Sequence, residues 1–382
     1  MRSLLLATAL LLATTGHAIA ADLRCNQEPE NRFYWVERAF CDLDMAGPER
    51  ALGLVIWNHG ISGTLESWKA AVPPVFRVAQ SRGWDVIAIK RNNLAETMPG
   101  GPLDRTVKRT LEEAAAQRSA GYKKIVLAGQ SFGGYATLEA IDTSPTIDAA
   151  IAFSPGIRTG GASGSLDPTI IERIVARARV GRLALVFPKD DVLFGSIARG
   201  ARAQPILAQR DFPWLMIDET VTEITGHGGG TTGRFALRYG ACLADFLSAP
   251  ALPPGRFTCP FAIDVTRVVR ELLLPAHATA PSFTVAPTAI PAELQPLVGP
   301  RWALVGDTLA LVAPIEEHGR VRLMYRTTPS GGIWDATVDG KVLRAVLGNK
   351  ATVELSSHGG GTVTWVSADK SRTLKGTLTP LE

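Results

Sequence analysis

A serine that lies between two glycines, where a predicted strand meets a predicted helix, constrains the fold of this chain most. The segment is Gly129-Gln130-Ser131-Phe132-Gly133. Residues 124–128 before it are largely apolar and typical of a strand, and residues 134–141 after it are typical of a helix start. Because such a sharp turn leaves no room for a Cβ, glycines flank the serine, whose hydroxyl projects above the sheet edge.

Residues 51 to 218 alternate between short apolar runs and helical patterns. Continuous apolar strands separated by helices are typical of a mostly parallel sheet that is covered by helices on both faces. We therefore predict an α/β fold, in which ligands bind beyond the carboxyl ends of the strands. The predicted strands span residues 52–57, 85–89, 124–128, 148–153, 183–187 and 214–217.

Residues of types that take part in catalysis follow several of these predicted strands. His59-Gly60-Ile61 comes after the first strand, and Ser131 comes after the third. Asp190-Asp191 comes after the fifth strand, and His227 follows the last one in a glycine-rich loop. Serine, acid and histidine therefore occur in the chain order of the α/β-hydrolase triad.

Residues 51 to about 274 resemble an α/β-hydrolase of the serine esterase or dienelactone-hydrolase-like kind. The resemblance is carried by the serine turn, the His59-Gly60 turn, the acid loop and the His227 loop. It implies that Ser131 is a nucleophile, that His227 is its general base, and that an acid orients the imidazole. The dienelactone hydrolases proper use cysteine at the turn, so the serine departs from their pattern.

The resemblance also indicates which groups complete the site. In such hydrolases a turn of about three residues separates strand and acid, which favours Asp191, with Asp190 as the alternative. The backbone N–H groups of Ile61 and Phe132 are the expected oxyanion hole. The sequence contains no motif for a cofactor or a metal, and none is expected.

The other histidines fit the role of the base less well. His358 lies in a similar glycine-rich segment, but in a region of strand character with no helix after it. His227 is followed by a helical pattern over residues 235–239. His59 is expected to shape the oxyanion turn, and His277 and His318 lack a suitable position.

The first 20 residues are predicted to be a signal peptide. Arg2 precedes an apolar run over residues 4–13, and Ala18-Ile19-Ala20 is a small-x-small cleavage site. The protein is therefore expected to be exported, either to the periplasm or into the medium. No second long apolar run occurs, so no integral membrane association is expected.

Four cysteines in an exported chain favour disulfide bonds. The pairing that closes two short loops is Cys25–Cys41 with Cys242–Cys259. The sequence carries 40 basic and 36 acidic side chains, which is too balanced to indicate a nucleic-acid partner.

The chain is predicted to comprise a hydrolase domain over residues 21–274, a Pro/Ala-rich linker over 275–300 and a small antiparallel β domain over 301–382. The core of this β domain is expected to contain Trp302, Trp334 and Trp365. The alternative is that the three rings form a carbohydrate-stacking surface.

The function predicted from these features is cleavage of small-molecule or polymer-borne carboxylic esters by an exported serine hydrolase. A serine peptidase or acyltransferase would use the same groups, so both remain open. A third alternative is a non-catalytic cell-envelope binding protein on a degenerate hydrolase fold. The sequence leaves the oligomeric state open.

Overall fold

Two β-sheets organise the chain. One has eight strands and lies within residues 34–256, and the other has nine strands and lies within residues 301–380. The predicted signal peptide, His277 and His318 lie outside the described residues. The computed structural model describes residues 23–29, 32–62, 66–97, 101–144, 146–157, 169–193, 198–260, 263–274, 290–317, 320–328 and 331–381.

The first sheet alternates with helices along the chain. Its strands are β1 (Tyr34–Arg38), β2 (Gly53–Asn58), β3 (Trp84–Arg91), β4 (Ile125–Gln130), β5 (Ala149–Phe153), β6 (Leu183–Val186), β7 (Pro213–Ile217) and β8 (Gly255–Arg256). The helices are α1 (Val75–Ser81), α2 (Asn93–Thr97), α3 (Pro102–Ser119), α4 (Phe132–Thr143), α5 (Ile170–Arg177), α6 (Arg199–Leu207), α7 (Gly233–Ser248) and α8 (Val265–Leu273).

The strand order is β1-β3-β2-β4-β5-β6-β7-β8. Strand β1 pairs with β3 antiparallel, and the remaining neighbours are parallel. Every residue of β2, β3, β5, β6 and β7 is buried, because apolar clusters and helices cover both faces of the sheet. This arrangement confirms the α/β-hydrolase fold, with Ser131 at the end of β4.

The second sheet is antiparallel throughout, which confirms the predicted β domain. Its ends meet, since a Cβ on Gly376 would lie 2.3 Å from the carbonyl oxygen of Leu304. The sheet therefore curves into a barrel-like form. Its strands are β9 (Arg301–Val305), β10 (Thr308–Glu317), β11 (Arg320–Thr327), β12 (Gly331–Asp339), β13 (Val342–Val346), β14 (Thr352–Ser356), β15 (Thr362–Val366), β16 (Thr373–Thr377) and β17 (Thr379–Pro380).

Part of the predicted linker is structured. A 3-10 helix over Ala292–Leu297 buries Leu294 and Leu297 in the core of the second sheet. The three tryptophans of this region are half-buried, and each packs against a core cluster. They therefore contribute to packing with part of each ring while another part remains accessible.

The two sheets share an interface at α7. A Cβ on Gly233 would lie 2.6 Å from the backbone nitrogen of Leu309, and Leu309 belongs to the same apolar cluster as α7. The Asp42 carboxylate also joins the two parts, because it contacts Arg77 of α1 at 2.8 Å as well as Arg326 of β11. The small β domain thus packs directly on the first domain.

One of the two expected disulfides is formed. Cys242 and Cys259 are bonded and close a loop of sequence separation 17 between α7 and the segment after β8. The expected Cys25–Cys41 bond is absent, since both residues are free thiols. The two thiols contact one another, and burial, followed by this contact, raises the pKa of Cys25 to about 12. Cys25 is therefore a protonated thiol at neutral pH.

Candidate active site

The turn at Ser131 is a strained strand-to-helix junction. Ser131 has φ 56° and ψ −122°, a backbone conformation that non-glycine residues rarely adopt. A Cβ on Gly129 would lie 2.2 Å from the carbonyl oxygen of Gly133, and one on Gly133 would lie 2.1 Å from that of Asn58. Both glycines are therefore required by close backbone approach, as the sequence predicts.

The turn over Gly129–Gly133, which we call the elbow, contains Phe132, and the second candidate oxyanion-hole residue, Ile61, lies in the loop after β2. Phe132 is the first residue of α4, so its N–H has no acceptor within the helix. Gly60 packs against the elbow, because a Cβ placed on it would lie 3.2 Å from Ser131 Cβ. Ile61 is the next residue, so the loop after β2 brings the Ile61 backbone close to Ser131.

His59 anchors the loop after β2 through buried hydrogen bonds. Its ring is buried, and Nε2 accepts a hydrogen bond of 2.9 Å from the backbone N–H of Arg91. We therefore assign the ring proton to Nδ1, which donates to the carbonyl oxygen of Gly60 at 2.7 Å. The Arg91 guanidinium donates to the carbonyl oxygens of His59 and Gly60 at 2.5 and 3.2 Å. His59 thus has a structural role in the turn.

A buried polar network supports the same loop. Burial lowers the pKa of Arg91 to about 10, and Glu96 lies 3.7 Å from its guanidinium. Glu96 also accepts a hydrogen bond of 3.1 Å from the Ser67 hydroxyl, which in turn accepts one of 2.7 Å from the N–H of Ser62. The residue after Ile61 is therefore held by an ordered chain of polar groups.

Protonation of His59 should destabilise the fold. Burial holds the pKa of His59 well below its ordinary value of 6.5. Below pH 6.5 the unfolded chain binds a proton that the folded chain does not, so stability decreases as the pH falls. We expect this residue to remove about 1.4 kcal/mol of unfolding free energy between pH 7.5 and pH 5.5.

Urea unfolding at these two pH values measures that loss. In His59→Gln the difference between the two pH values should shrink by about the amount attributed to His59. His358→Gln is the matched control, because His358 is exposed in the turn between β14 and β15. An unchanged pH difference in His59→Gln would contradict the buried neutral ring.

The structure brings His227 and Asp191 together. His227 Nδ1 lies 3.0 and 3.1 Å from the two carboxylate oxygens of Asp191. Only 2% of Asp191 is exposed, and the N–H of Leu193 donates to its carboxylate at 3.1 Å. Asp190 is exposed and has a positive φ of 57°. Of the two candidate acids, Asp191 is therefore the one that contacts the imidazole.

The backbone of His227 is attached to the elbow. The Ser154 hydroxyl donates to the carbonyl oxygen of His227 at 2.8 Å, and Gln130 Nε2 donates to it at 3.4 Å. Gln130 immediately precedes Ser131, so these contacts hold the histidine loop beside the serine turn. The alternative histidine, His358, lies in the turn between β14 and β15 of the second sheet and has no such contact with the elbow among the described residues.

Arg199 and Ser154 belong to the site but were not predicted. Arg199, the first residue of α6, forms a buried ion pair of 2.9 Å with Asp191. No sequence pattern distinguishes it from the many other arginines. Ser154 directly follows β5, so the rule that site residues follow strand ends would have pointed to it. Among the described residues, no group of three or more His, Cys, Asp or Glu is placed to hold a metal ion.

No helix in the described part of the chain is both long and apolar enough to cross a membrane.

Comparison with known proteins gives structural likenesses at low sequence identity. No family model and no curated protein matches the chain. The esterase Pf2001 of Pyrococcus furiosus is 14% identical with a TM-score of 0.41, and the match covers 59% of this chain and 96% of that one. Est1E of Butyrivibrio proteoclasticus, solved with ferulic acid, is 14% identical with a TM-score of 0.37, over 56% of this chain and 92% of that one.

Porphyromonas gingivalis dipeptidyl peptidase 4 is 18% identical with a TM-score of 0.39, over 56% of this chain and 33% of that one. These likenesses concern the fold alone. The assignment of the α/β-hydrolase fold to residues 34–256 rests on the strand order and on the strained turn at Ser131.

Proposed function

We propose that this protein is a serine hydrolase that cleaves carboxylic esters through an acyl-enzyme intermediate. The observation that carries the proposal is the contact between His227 Nδ1 and the buried Asp191 carboxylate. This contact lies in a loop that is hydrogen-bonded to the residue before Ser131. A carboxylate on Nδ1 selects the tautomer in which Nε2 acts as the base.

In the proposed reaction, Ser131 Oγ attacks the ester carbonyl carbon while His227 Nε2 accepts the hydroxyl proton. The N–H groups of Phe132 and Ile61 stabilise the negative charge on the carbonyl oxygen. Collapse of the tetrahedral intermediate expels the alcohol, which takes the proton from His227, and leaves Ser131 acylated. His227 then deprotonates a water molecule that releases the carboxylic acid and restores the serine.

The Cys242–Cys259 disulfide supports the proposal that the protein works outside the cytosol. Disulfides persist in oxidising compartments and are rare where thiols are kept reduced. Together with the predicted signal peptide, this favours an exported enzyme that meets its substrate in the periplasm or beyond the cell.

Ester and amide substrates test the proposed reaction class. The purified protein is assayed with p-nitrophenyl butyrate and with the p-nitroanilide of the same acid at equal concentrations. We expect turnover of the ester and at least 100-fold slower turnover of the anilide, because amines are the poorer leaving groups. Comparable rates on the ester and the anilide would favour a peptidase over an esterase. Absence of turnover in both assays would contradict a hydrolase of either kind.

Exposed apolar side chains around the candidate site favour esters with apolar groups. Of the nine large hydrophobic side chains that are exposed among the described residues, five lie at the edge where the parallel strands end. Val192 and Leu94 are 82% and 63% exposed, and they follow β6 and β3. Strands β3 and β6 are each two places from β4 in the sheet, so they end about 10 Å to either side of the strand that leads to Ser131. The other three are Phe33, Ile61 and Leu193.

Acyl-chain preference is expected to depend on these side chains. Val192→Ser should lower the ratio of kcat/KM for p-nitrophenyl hexanoate to that for the acetate by about 3- to 10-fold, because less apolar surface is buried on binding. Leu52→Ser is the matched control, since Leu52 is 47% exposed but precedes β2 at the opposite edge. Equal ratios in both variants and the wild type would contradict an apolar acyl site.

A further inference from the structure

Arg199 is a buried cation whose position is fixed by several contacts. Its Nη2 donates to Asp191 Oδ2 at 2.9 Å, and its Nη1 donates to the carbonyl oxygen of Pro155 at 2.8 Å. The guanidinium carbon lies 4.8 Å from the centroid of the Phe187 ring. Only 8% of the residue is exposed. The side chain thus joins the acid loop after β6 to the end of β5.

The Asp191 carboxylate is shared between this cation and the candidate base. One side of the carboxylate contacts Arg199, and both oxygens lie within 3.1 Å of His227 Nδ1. Both partners of the ion pair are almost fully buried, so water screens the interaction little. The carboxylate is therefore fixed by two partners, the Arg199 guanidinium and the His227 ring.

The other charged groups near this pair have defined positions. Glu219 accepts hydrogen bonds from the backbone N–H groups of Arg199 and Gly200, at 2.8 and 3.2 Å, and so faces the start of α6. Lys189 and Asp190 precede Asp191 in the chain, and Asp190 is exposed. Arg199 is therefore the cation that the described contacts place directly on the acid.

We propose that Arg199 is a positioning residue that orients the Asp191 carboxylate toward His227. The proposal rests on the proposed function. By holding Asp191 beside Pro155 and Phe187, the guanidinium restrains the carboxylate from rotating away from the imidazole.

A double-mutant cycle on the full chain tests this proposal, with kcat and KM for p-nitrophenyl butyrate as the readouts. Arg199→Met should lower kcat by about 10-fold and leave KM within about two-fold, because the carboxylate loses its orientation while the substrate site is unchanged. In an Asp191→Asn background the same substitution should lower kcat by less than about two-fold, since no carboxylate remains to be oriented. Arg199→Gln is the second uncharged variant and should give the same direction of change.

Two further variants complete the test. Arg199→Lys keeps the charge but has a shorter, single-point donor, so kcat should fall by about 3-fold, which is less than in Arg199→Met. Arg202→Met is the matched control, because Arg202 lies on the same helix but pairs with Glu172. It should leave kcat unchanged.

An unchanged kcat in the folded Arg199→Met and Arg199→Gln variants would overturn the proposal, and so would an equal loss of kcat in the wild-type and Asp191→Asn backgrounds. If the wild type hydrolyses no ester, the proposed function fails. The rate at which a fluorophosphonate labels Ser131 in the wild type and in Arg199→Met then decides whether Arg199 supports an activated serine.

Discussion

Replacing Ser131 with alanine is expected to reduce kcat for ester hydrolysis by about 10⁵- to 10⁶-fold. The substitution removes the oxygen that forms the acyl-enzyme in the proposed reaction, so His227 loses the hydroxyl whose proton it would accept. The residual rate should come from substrate binding and the oxyanion donors alone. The measurement is the steady-state rate with p-nitrophenyl butyrate, with circular dichroism to show that the variant is folded.

A glycine at the same position separates chemistry from backbone strain. Ser131 has φ 56°, which glycine adopts at much lower cost, and strain of this type is worth about 1 kcal/mol or more. Ser131→Gly should therefore be as inactive as Ser131→Ala but unfold at higher urea concentration. Substantial activity in either variant would contradict a nucleophilic role for this serine.

Replacing Asp191 with asparagine is expected to lower kcat by about 10³- to 10⁴-fold. The amide neither favours the correct imidazole tautomer nor stabilises the protonated ring, although its shape is nearly that of the acid. It also leaves the buried Arg199 guanidinium without its carboxylate partner, so the variant should be less stable by about 3 kcal/mol or more. Kinetics and urea unfolding at the same pH measure the two effects.

The neighbouring aspartate provides the control for this variant. Asp190→Asn changes the same chemical group one position earlier, and Asp190 is exposed. Its positive φ is a conformation that asparagine accepts readily. We expect kcat within about two-fold of the wild type. A large loss of kcat in Asp190→Asn with little change in Asp191→Asn would contradict the assignment of Asp191 as the acid.

Most of the central sheet could be predicted because its strands are continuous apolar runs between helices. Strand β3 is buried along all eight residues, so its composition alone indicates a covered strand. Strand β1 was not predicted, because its residues alternate between buried and half-buried and include the charged Glu37 and Arg38. Strand β8 has only two residues, which is too short for any periodicity.

The candidate site could be predicted only where its residues follow strand ends in chain order. Asp191 was favoured over Asp190, and the structure places Asp191 on the imidazole, although the catalytic assignment remains a prediction. Arg199 could not be predicted, because its contacts with Asp191 and Pro155 depend on how α6 packs beside β5 and β6. The pairing of Cys25 with Cys41 was wrong, since proximity in the chain does not ensure that two thiols are oxidised.

Labelling with a fluorophosphonate tests the proposed mechanism most directly. The protein is treated with the reagent, digested, and the modified peptide is identified by mass spectrometry. We expect a single adduct on Ser131 that is lost in His227→Ala, because only a serine paired with a base reacts at a useful rate. A folded wild-type protein that takes up no label, or one labelled at another serine, would contradict an activated nucleophile at the end of β4.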